Sequence, residues 1–353
     1  MAKKKQGNMS HPLVAVELGG GSLRAIAAEM TPDGLLRILG AETAKNNKAC
    51  VQRGVVSNTS NASFGVNEML RLLANRIHCD EIVKVFVPMG GRSMKIVEVT
   101  SKRNQIQKKS IPMTLLDEME KECKQKLEVH NPHVSVLGLV PIDYNLDGHV
   151  QQEVPTEQQA AKLLEIRYSA FVGQKELEQK VHDSFIRIPK HIECSYARPD
   201  VLLTAFASKE DWQEGVAVLD MGAQTTTLSV YKENRYIYNK VITQGGYDIT
   251  RDIEQLGISI VHAERLKCQY GCAMVEQVEK NHLFRIPAVV ADNGVLNIYA
   301  KDVAEIITNR LDQIFNPLMA ELNVLPPISV LYITGGASML YGVEEYLQSK
   351  TSV

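Results

Sequence analysis

Two stretches of the chain repeat one pattern, in which an apolar strand ends near an acidic residue and is followed by a glycine-containing turn and a second strand. The first has Glu17 and the turn Gly19–Ser22; the second has Asp220 and the turn Gly222–Thr226. Glycine lets backbone approach a ligand, amides and hydroxyls donate to phosphate oxygens, and a carboxylate holds a hydrated metal ion. Either hairpin alone could be an ordinary glycine turn. The repetition predicts a duplicated fold with two hairpins facing one phosphate ligand.

Two further glycine pairs extend this pattern. Gly245–Gly246 follows the second hairpin directly, and Gly335–Gly336 joins a buried strand to a helix within Val330–Leu347. A turn of that kind lets a flat or anionic ligand lie against the backbone. Each motif is weak by itself. In this order they indicate a nucleotide clamped between two domains.

Length and composition set the limits of the fold. With 353 residues, of which 44% are hydrophobic, the chain can bury more than one core, so we expect two or more domains. A net charge of -2 gives no overall signal for nucleic acid or an anionic membrane. Six scattered cysteines suit reduced thiols. Because no apolar run reaches bilayer length and no signal-peptide core is present, we expect a cytoplasmic protein.

The order of these motifs resembles that of the actin-like ATPase superfamily. The sequence between them resembles the FtsA family of bacterial cell-division proteins. The matching stretches are LDMGAQTTTLSVY, QGGYDITRDI, HAERLKCQYGCA and LYITGGASML, with a looser match in LVPIDYNLDG. The resemblance is collinear over nearly the whole chain. It implies an α/β fold of the actin-like, ribonuclease H-like duplicated kind, in which two domains surround a nucleotide cleft and a small α+β subdomain is inserted.

The resemblance and the order of predicted elements divide the chain into five parts. These are a flexible tail at 1–11, subdomain 1A at 12–83 and 164–195, the inserted subdomain 1C at 84–163, subdomain 2A at 196–246 and 299–353, and subdomain 2B at 247–298.

Within the insertion we expect a few short elements. They are a strand at Met94–Val99, a basic turn containing Lys102, Arg103, Lys108 and Lys109, a helix at Met113–Leu127 and a strand at Val134–Val140 that Pro141 ends. The strand Leu164–Phe171 then resumes subdomain 1A. Further along, Trp212 is expected in a charged loop, a helix over Val261–Val278, and a hairpin turn at Asn293–Gly294.

For the cofactor, the resemblance implies ATP with Mg²⁺. Glu17 and Asp220 would hold the waters of the metal ion. Glu264 and Lys267 lie three residues apart on one helical face; they would reach the ribose and adenine, although as a surface ion pair they would contribute little. The other implied cofactor-binding residues are Gly19, Gly20, Gly21, Ser22, Gly222, Ala223, Gln224, Thr225, Thr226, Gly245, Gly246, Gly335, Gly336, Ala337 and Ser338.

Several positions depart from the pattern of the resemblance. Glu17 stands where the superfamily usually has Asp, Ser22 where the family commonly has Lys, Ala223–Gln224 where Gly–Gly is usual, and Thr227 where Asp is common. Glu is longer than Asp by one methylene, which moves the carboxylate, and the loss of the Lys removes a point charge that would hold phosphate. We therefore predict that nucleotide binding survives more readily than hydrolysis, so that the chain is at most a weak ATPase. No general base stands out, and no catalytic residue is assigned.

The partners also follow from the resemblance. It implies a scaffold that forms filaments with its own copies, receives the C-terminal tail of FtsZ in subdomain 2B, and contacts later division proteins through the inserted subdomain. Such a protein lies on the inner face of the cell membrane at the division site. The family reaches the membrane through a C-terminal amphipathic helix, and this chain stops at Val353 without one. No nucleic-acid partner is expected.

Two other functions remain open at this stage. An actin-fold pilus-assembly adaptor would bind a peptide of a membrane protein instead of FtsZ. A kinase or chaperone-type ATPase of the same superfamily would turn over its substrate, and the position of the insertion and the altered hairpins argue against it.

Overall fold

The computed structural model describes residues 12–46, 49–82, 84–185, 191–289 and 294–351. The predicted tail at 1–11 and Asn293 of the predicted Asn293–Gly294 turn lie outside the described residues.

The described chain alternates strands and helices. The strands are β1 (Leu13–Leu18), β2 (Ser22–Met30), β3 (Leu36–Lys45), β4 (Val51–Gln52), β5 (Val55–Val56), β6 (Lys84–Met89), β7 (Lys95–Ser110), β8 (Val134–Leu146), β9 (His149–Gln151), β10 (Ala160–Gln174), β11 (His191–Ala197), β12 (Val216–Met221), β13 (Thr226–Lys232), β14 (Arg235–Ile242), β15 (Leu283–Pro287), β16 (Val295–Tyr299) and β17 (Val330–Thr334). The helices are α1 (Thr59–Arg76), α2 (Met113–His130), α3 (Lys175–Asp183), α4 (Arg198–Phe206), α5 (Lys209–Glu214), α6 (Gly246–Glu254), α7 (Ile260–Tyr270), α8 (Ala300–Leu322) and α9 (Val343–Gln348).

The first half is built on a five-stranded sheet in the order β11-β6-β1-β2-β3. Alternate residues of β1, Val14 and Val16, are fully buried and share a core with Val66 and Leu70 of α1. This period of two is what a half-buried strand requires. β1 and β2 are antiparallel, with Leu18 opposite Leu23, so the first predicted hairpin is present and Glu17 lies next to its tip.

The second half repeats this arrangement in the order β14-β13-β12-β17. β12 is antiparallel to β13 and parallel to β17, just as β1 is antiparallel to β2 and parallel to β6. Asp220 is opposite Thr227 on one side and Thr334 on the other, which puts the last residues of β17 beside the second hairpin tip. The duplicated α/β fold predicted from the two hairpins is therefore confirmed.

The cores of the two halves meet. Val218 and Tyr231 of the second half belong to the same buried cluster as β1 and α1. On the other face of the second sheet, Leu219 packs with the long helix α8, whose buried residues include Ile307 and Leu311. The second sheet is thus packed on both faces.

The inserted part is a sheet in the order β7-β10-β8-β9 with α2 against it. The basic turn predicted at residues 102–109 is wrong, because this segment lies inside the strand β7. Lys102 pairs with Glu165 of β10 at 2.5 Å, and Arg103 pairs with Glu122 of α2 at 2.8 Å. Acidic partners on the neighbouring elements let a basic segment stay in the strand.

Two further expectations for this region need correction. Pro141 does not end β8, which continues to Leu146 with a register shift where Pro141 faces Tyr168; a bulge accommodates a residue that has no N–H to donate. The strand β10 pairs with β7 and β8, whereas β6 pairs with β1 in the first sheet. The inserted sheet therefore begins and ends one strand later than the predicted limits of 84–163. The division into subdomains otherwise stays a prediction.

Two local expectations in the second half are also corrected. Trp212 lies in the short helix α5, whose first turn is closed by a capping box between Ser208 and Asp211. The indole ring packs edge-on against Tyr231, with 4.4 Å between the ring centroids. The helix expected over Val261–Val278 ends at Tyr270, and residues up to Val278 form only a further short 3-10 turn.

Candidate functional site

The two hairpin tips touch each other between the halves. A methyl group built on Gly20 would lie 3.1 Å from Cβ of Gln224, and one built on Gly21 would lie 3.0 Å from Cβ of Ala223. Those separations are at the limit of carbon–carbon contact. The two turns predicted to face the phosphates therefore pack directly against each other in this closed arrangement.

Each tip is closed by its own backbone. The amide of Gly19 donates to the carbonyl oxygen of Ser22 at 3.0 Å, and the amide of Gly222 donates to that of Thr225 at 2.8 Å. The two tips thus have the same local geometry, as their shared sequence pattern predicted. The hydroxyl of Thr226 is buried and donates to the carbonyl oxygen of Gln244 at 3.0 Å, so it supports the turn before α6.

One guanidinium lies between the two acidic residues of the hairpins. Nη1 of Arg198 is 2.9 Å from Oε1 of Glu17 and 3.4 Å from Oδ2 of Asp220. Arg198 is the first residue of α4, which leads from the five-stranded sheet into the second half. Burial alone would lower the pKa of Arg198, but the two carboxylates outweigh it and the pKa is raised. Arg198 is therefore a charged counter-ion for both hairpins.

The same surroundings change the pKa of the Asp220 carboxyl group. Burial raises its pKa above the ordinary value, the nearby charge of Glu17 adds to this, and Arg198 opposes it. Two partly buried carboxylates that face each other need a positive charge between them, and Arg198 supplies it.

These contacts test whether the residues fit the magnesium ion that the resemblance implies. Glu17 and Asp220 are ligands of the right chemical type, and the structure brings them together. However, the guanidinium of Arg198 already lies within hydrogen-bond distance of both. As folded, this arrangement does not fit magnesium.

A second arginine ties the halves together from the β4–β5 turn. The amide of Arg53 donates to Oε1 of Gln224 at 2.9 Å, and its guanidinium donates to both carboxylate oxygens of Asp248 at 2.8 Å. Nη1 also donates to the carbonyl oxygen of Thr243 at 2.6 Å. Arg53 thus anchors the first half on the start of α6 in the second half.

The predicted pair Gly245–Gly246 forms the beginning of α6. The free amides of a helix N-terminus usually attract anions. Here the amide of Gly246 donates to the carbonyl oxygen of Gly222 at 3.0 Å, and the amide of Gly245 donates to the side chain of Asp248 at 2.8 Å. Because the amide of Gly246 is bonded to the second hairpin, a phosphate can reach it only after that hairpin moves away from α6.

Oε2 of Glu264 and Nζ of Lys267 form an ion pair of 2.7 Å. Unlike an isolated surface pair, it makes further hydrogen bonds to α6. Nζ of Lys267 also donates to the carbonyl oxygen of Gly246 at 2.9 Å and to the hydroxyl of Thr250 at 2.8 Å. The hydroxyl of Thr250 donates to Glu264 as well. Burial raises the pKa of Glu264, but the hydrogen bonds from Lys267 and Thr250 more than compensate, so the pKa is lowered. The pair joins α7 to the start of α6.

The turn after β17 completes this side of the cleft. Gly335 has φ of 91°, and a methyl group built on it would lie 2.5 Å from the carbonyl oxygen of Met221, so only glycine fits there. Gly336 has nothing within 4 Å of a methyl group, which leaves open space beside it. Cβ of Ala337 is 3.2 Å from a methyl group built on Gly246. The structure thus brings together the residues predicted to surround the nucleoside.

The hydroxyl of Ser338 donates to the carbonyl oxygen of Gly335 at 2.7 Å, so this predicted ligand residue closes its own turn. The sequence analysis missed Arg198 and Arg53, because neither stands in the quoted glycine motifs. It also missed Asp248, which follows Gly245–Gly246 in one of those motifs but was given no role. The available signal was indirect: the hairpins lack a Lys at Ser22 and so need their positive charge from elsewhere.

A cavity between the halves borders the hairpins. Its lining includes Arg198 and Asp220 but neither Glu264 nor Lys267. Most of the lining is apolar; its larger apolar side chains include Val55, Met89, Leu137, Leu177, Val181 and Leu202. This space is therefore separate from the part of the cleft where the predicted nucleoside residues gather.

Comparison with solved structures defines the class of protein. The structure titled "PilM-PilN type IV pilus biogenesis complex" matches with a TM-score of 0.66 at 15% identity, covering 97% of this chain and 86% of that chain. MreB5 of Spiroplasma citri bound to ADP matches with a TM-score of 0.57 at 11% identity, covering 96% and 89%. These likenesses show the fold. The chain has an actin-like fold, as the resemblance implied.

Comparison with known sequences narrows this class. The family model "Cell division protein FtsA" matches residues 217–353. The cell division protein FtsA of Bacillus subtilis is 24% identical over 352 residues, covering 97% of this chain and 77% of the relative. That of Enterococcus hirae is 23% identical over 341 residues, covering 95% and 75%. The chain is similar to FtsA along nearly its whole length, which confirms the resemblance.

Proposed function

We propose that this chain is an actin-like cell-division scaffold that assembles with its own copies and links FtsZ to the cell membrane. The observation that carries this proposal is the extent of the likeness to FtsA, which covers 95% or more of the chain in relatives of two genera. By the same likeness, the protein acts at the inner face of the membrane at the division site. Among the described residues, no helix is long and apolar enough to cross a membrane.

We assign the contacts to parts of the fold, not to single residues. Subdomain 2B, which contains α7 and the β15–β16 hairpin, is proposed to receive the C-terminal tail of FtsZ. The inserted sheet is proposed to contact later division proteins. Both assignments follow the order of the parts along the chain.

We infer that ATP is the ligand of the cleft and that it binds when the hairpins separate. The open space beside Gly336 and the grouping of Gly246, Lys267 and Ala337 support a nucleoside site. A protein of the same fold, MreB5, has been solved bound to ADP and to AMPPNP. The chain's own groups would hold the ligand: Lys267 and Glu264 at the nucleoside, and the hairpin amides at the phosphates.

Hydrolysis is expected to be weak or absent. In the closed cleft, Asp220, the carboxylate nearest to the second hairpin tip, is paired with Arg198 and is not placed to take a proton from water. No other described side chain at the tips is placed as a general base. The nucleotide would therefore select a conformation of the scaffold instead of being turned over.

The test of the proposed function is binding of a fluorescent peptide with the sequence of the FtsZ C-terminal tail from the same organism. We expect saturable binding, measured by anisotropy, that a scrambled tail peptide does not reproduce. A peptide from the cytoplasmic end of a pilus-assembly membrane protein serves as the second control. Preference for that peptide over the FtsZ tail would refute the scaffold and support the pilus adaptor.

A further inference from the structure

We propose that Arg198 is a built-in cation that takes the place of a divalent metal between the two hairpins, so that the cleft closes without magnesium. The inference concerns the regulation of the proposed nucleotide site. Its structural part depends only on Glu17, Asp220 and Arg198, and so it can be tested whether or not the chain binds FtsZ.

The charges around the hairpin tips balance without a metal ion. Oε1 of Glu17 contacts Arg198 at 2.9 Å, and Oε2 of the same residue is 3.5 Å from Nη1 of Arg24. Oδ2 of Asp220 is 3.4 Å from the same nitrogen of Arg198, Nη1. Two carboxylates thus face two guanidinium groups. Without a phosphate ligand, a divalent ion added to this set would leave an excess of positive charge in a partly buried space, which is unfavourable.

The fold places Arg198 accurately. It directly follows β11, where Ala197 is opposite Met89 of β6 in the five-stranded sheet. A methyl group built on Gly90 would lie 3.5 Å from both Cβ and Nε of Arg198, an ordinary contact distance, so the arginine stem lies close to the Gly90 backbone. The arginine side chain is only 25% exposed. A guanidinium held in this way loses little freedom when it bridges two carboxylates.

The same helix is fixed from the second half. Asp200, two residues further along α4, accepts a hydrogen bond of 2.7 Å from the hydroxyl of Tyr236 on β14. Pro199 and Leu203 of α4 are buried. Since α4 is held by both halves, the backbone of Arg198 keeps its position relative to the hairpins while the halves stay together. The contacts of Arg198 with both Glu17 and Asp220 therefore require the hairpins to be closed.

Removing the positive charge should expose a hidden metal site. Without Arg198, Glu17 and Asp220 face each other as like charges, which destabilises the closed state and raises their affinity for cations. Oxygen ligands and two negative charges are what Mg²⁺ or Mn²⁺ prefers. We expect the charge-free variant to gain a requirement for a divalent ion that the wild-type protein lacks.

The experiment compares the wild-type chain with Arg198→Met, which keeps the length of the stem, and with Arg198→Lys, which keeps the charge. Thermal unfolding is followed in EDTA, in millimolar MgCl₂, and in NaCl of equal ionic strength. We expect the Tm of R198M to rise by roughly 4 °C or more with MgCl₂ and not with NaCl. The Tm values of wild type and R198K should change no more in MgCl₂ than in NaCl.

Two results would overturn the proposal. One is magnesium stabilisation of the wild-type protein that equals that of R198M, because the metal and Arg198 would then coexist. The other is a folded R198M whose Tm rises no more in MgCl₂ than in NaCl. If R198M does not fold, the wild-type protein is titrated with Mn²⁺ and followed by electron paramagnetic resonance. A stoichiometric Mn²⁺ site that Asp220→Asn abolishes would contradict the proposal. The lack of such a site would support it.

Nucleotide binding gives a second readout. We expect the affinity of the wild-type protein for ATP to differ by less than twofold between EDTA and MgCl₂ after correction for the charge of free ATP, and that of R198M to become magnesium-dependent. A magnesium requirement in the wild type would refute the metal-free cleft. If the wild type binds no ATP in either buffer, the nucleotide part of the proposed function fails, whereas the Tm comparison still tests Arg198.

Discussion

Replacing Arg53 by Met should weaken the closed cleft and thereby strengthen the binding of ATP. The guanidinium of Arg53 reaches across from the first half to Asp248 and to the carbonyl oxygen of Thr243. Met retains an apolar stem but donates no hydrogen bond. Asp248 keeps its second partner, the amide of Gly245, so the start of α6 should remain intact. The change therefore acts on the contact between the halves.

The size of the effect follows from the exposure of the pair. The Asp248 side chain is 10% exposed and the Arg53 side chain 36% exposed. A hydrogen bond to a charged group contributes about 1.5 to 3 kcal/mol, and partial exposure of the arginine reduces this. We expect R53M to lose about 2 kcal/mol of unfolding free energy. If the loss falls on the closed state alone, the apparent Kd for ATP drops up to about thirtyfold.

The assays are urea denaturation and titration with fluorescent ATP. Arg71→Met is the matched control, because Arg71 pairs with Glu68 on the surface of α1 at 2.6 Å with both side chains about half exposed, at 59% and 49%. An exposed pair of this kind should contribute less than about 0.5 kcal/mol and leave ATP binding unchanged. Equal losses in R53M and R71M, or weaker ATP binding by R53M, would refute the reasoning.

Two further predictions concern the nucleoside side of the cleft. Gly335→Ala should destabilise the protein by roughly 2 kcal/mol, because the methyl group meets the carbonyl oxygen of Met221 at positive φ; Gly336→Ala, which meets nothing within 4 Å, should change the urea midpoint little, and equal effects would contradict the geometry. The lowered pKa of Glu264 means that its charged form stabilises the fold above its ordinary pKa of 4.5 and that this contribution is lost as the pH falls through the lower folded value. Glu264→Gln should therefore flatten the decline of stability on acidification, as measured by urea midpoints across that range, and an unchanged slope would argue against the role of Lys267.

The sequence predicts the parts of this fold that local patterns determine. Glu17 and Asp220 stand at equivalent places in two strand–turn–strand patterns, and the structure has both hairpins with the expected strand order. The strand β7 was missed where Lys102 and Arg103 lie, because the acidic residues that pair with them come from distant segments. Local composition cannot reveal such partners, since pairing across a sheet is a tertiary effect.

In the candidate site, too, some features follow from local sequence patterns and others from tertiary contacts. The grouping of Gly246, Lys267 and Ala337 follows from motifs that the sequence displays. The bridge made by Arg198 does not, because it depends on where the start of α4 falls relative to two hairpins that are far from it in sequence. A single arginine before a proline carries no local signal of that role.

The altered hairpins and the two arginines fit one physical account. Relative to the pattern of the resemblance, Ser22 lacks a positive charge, and Ala223 and Gln224 are larger than glycine. The larger side chains fill the space between the tips, and Gln224 binds the amide of Arg53. The charge that the loops lack comes from outside them, through Arg198 and Arg53. A cleft closed by its own side chains needs no ligand to hold the halves together, so nucleotide would act on this scaffold chiefly by opening it.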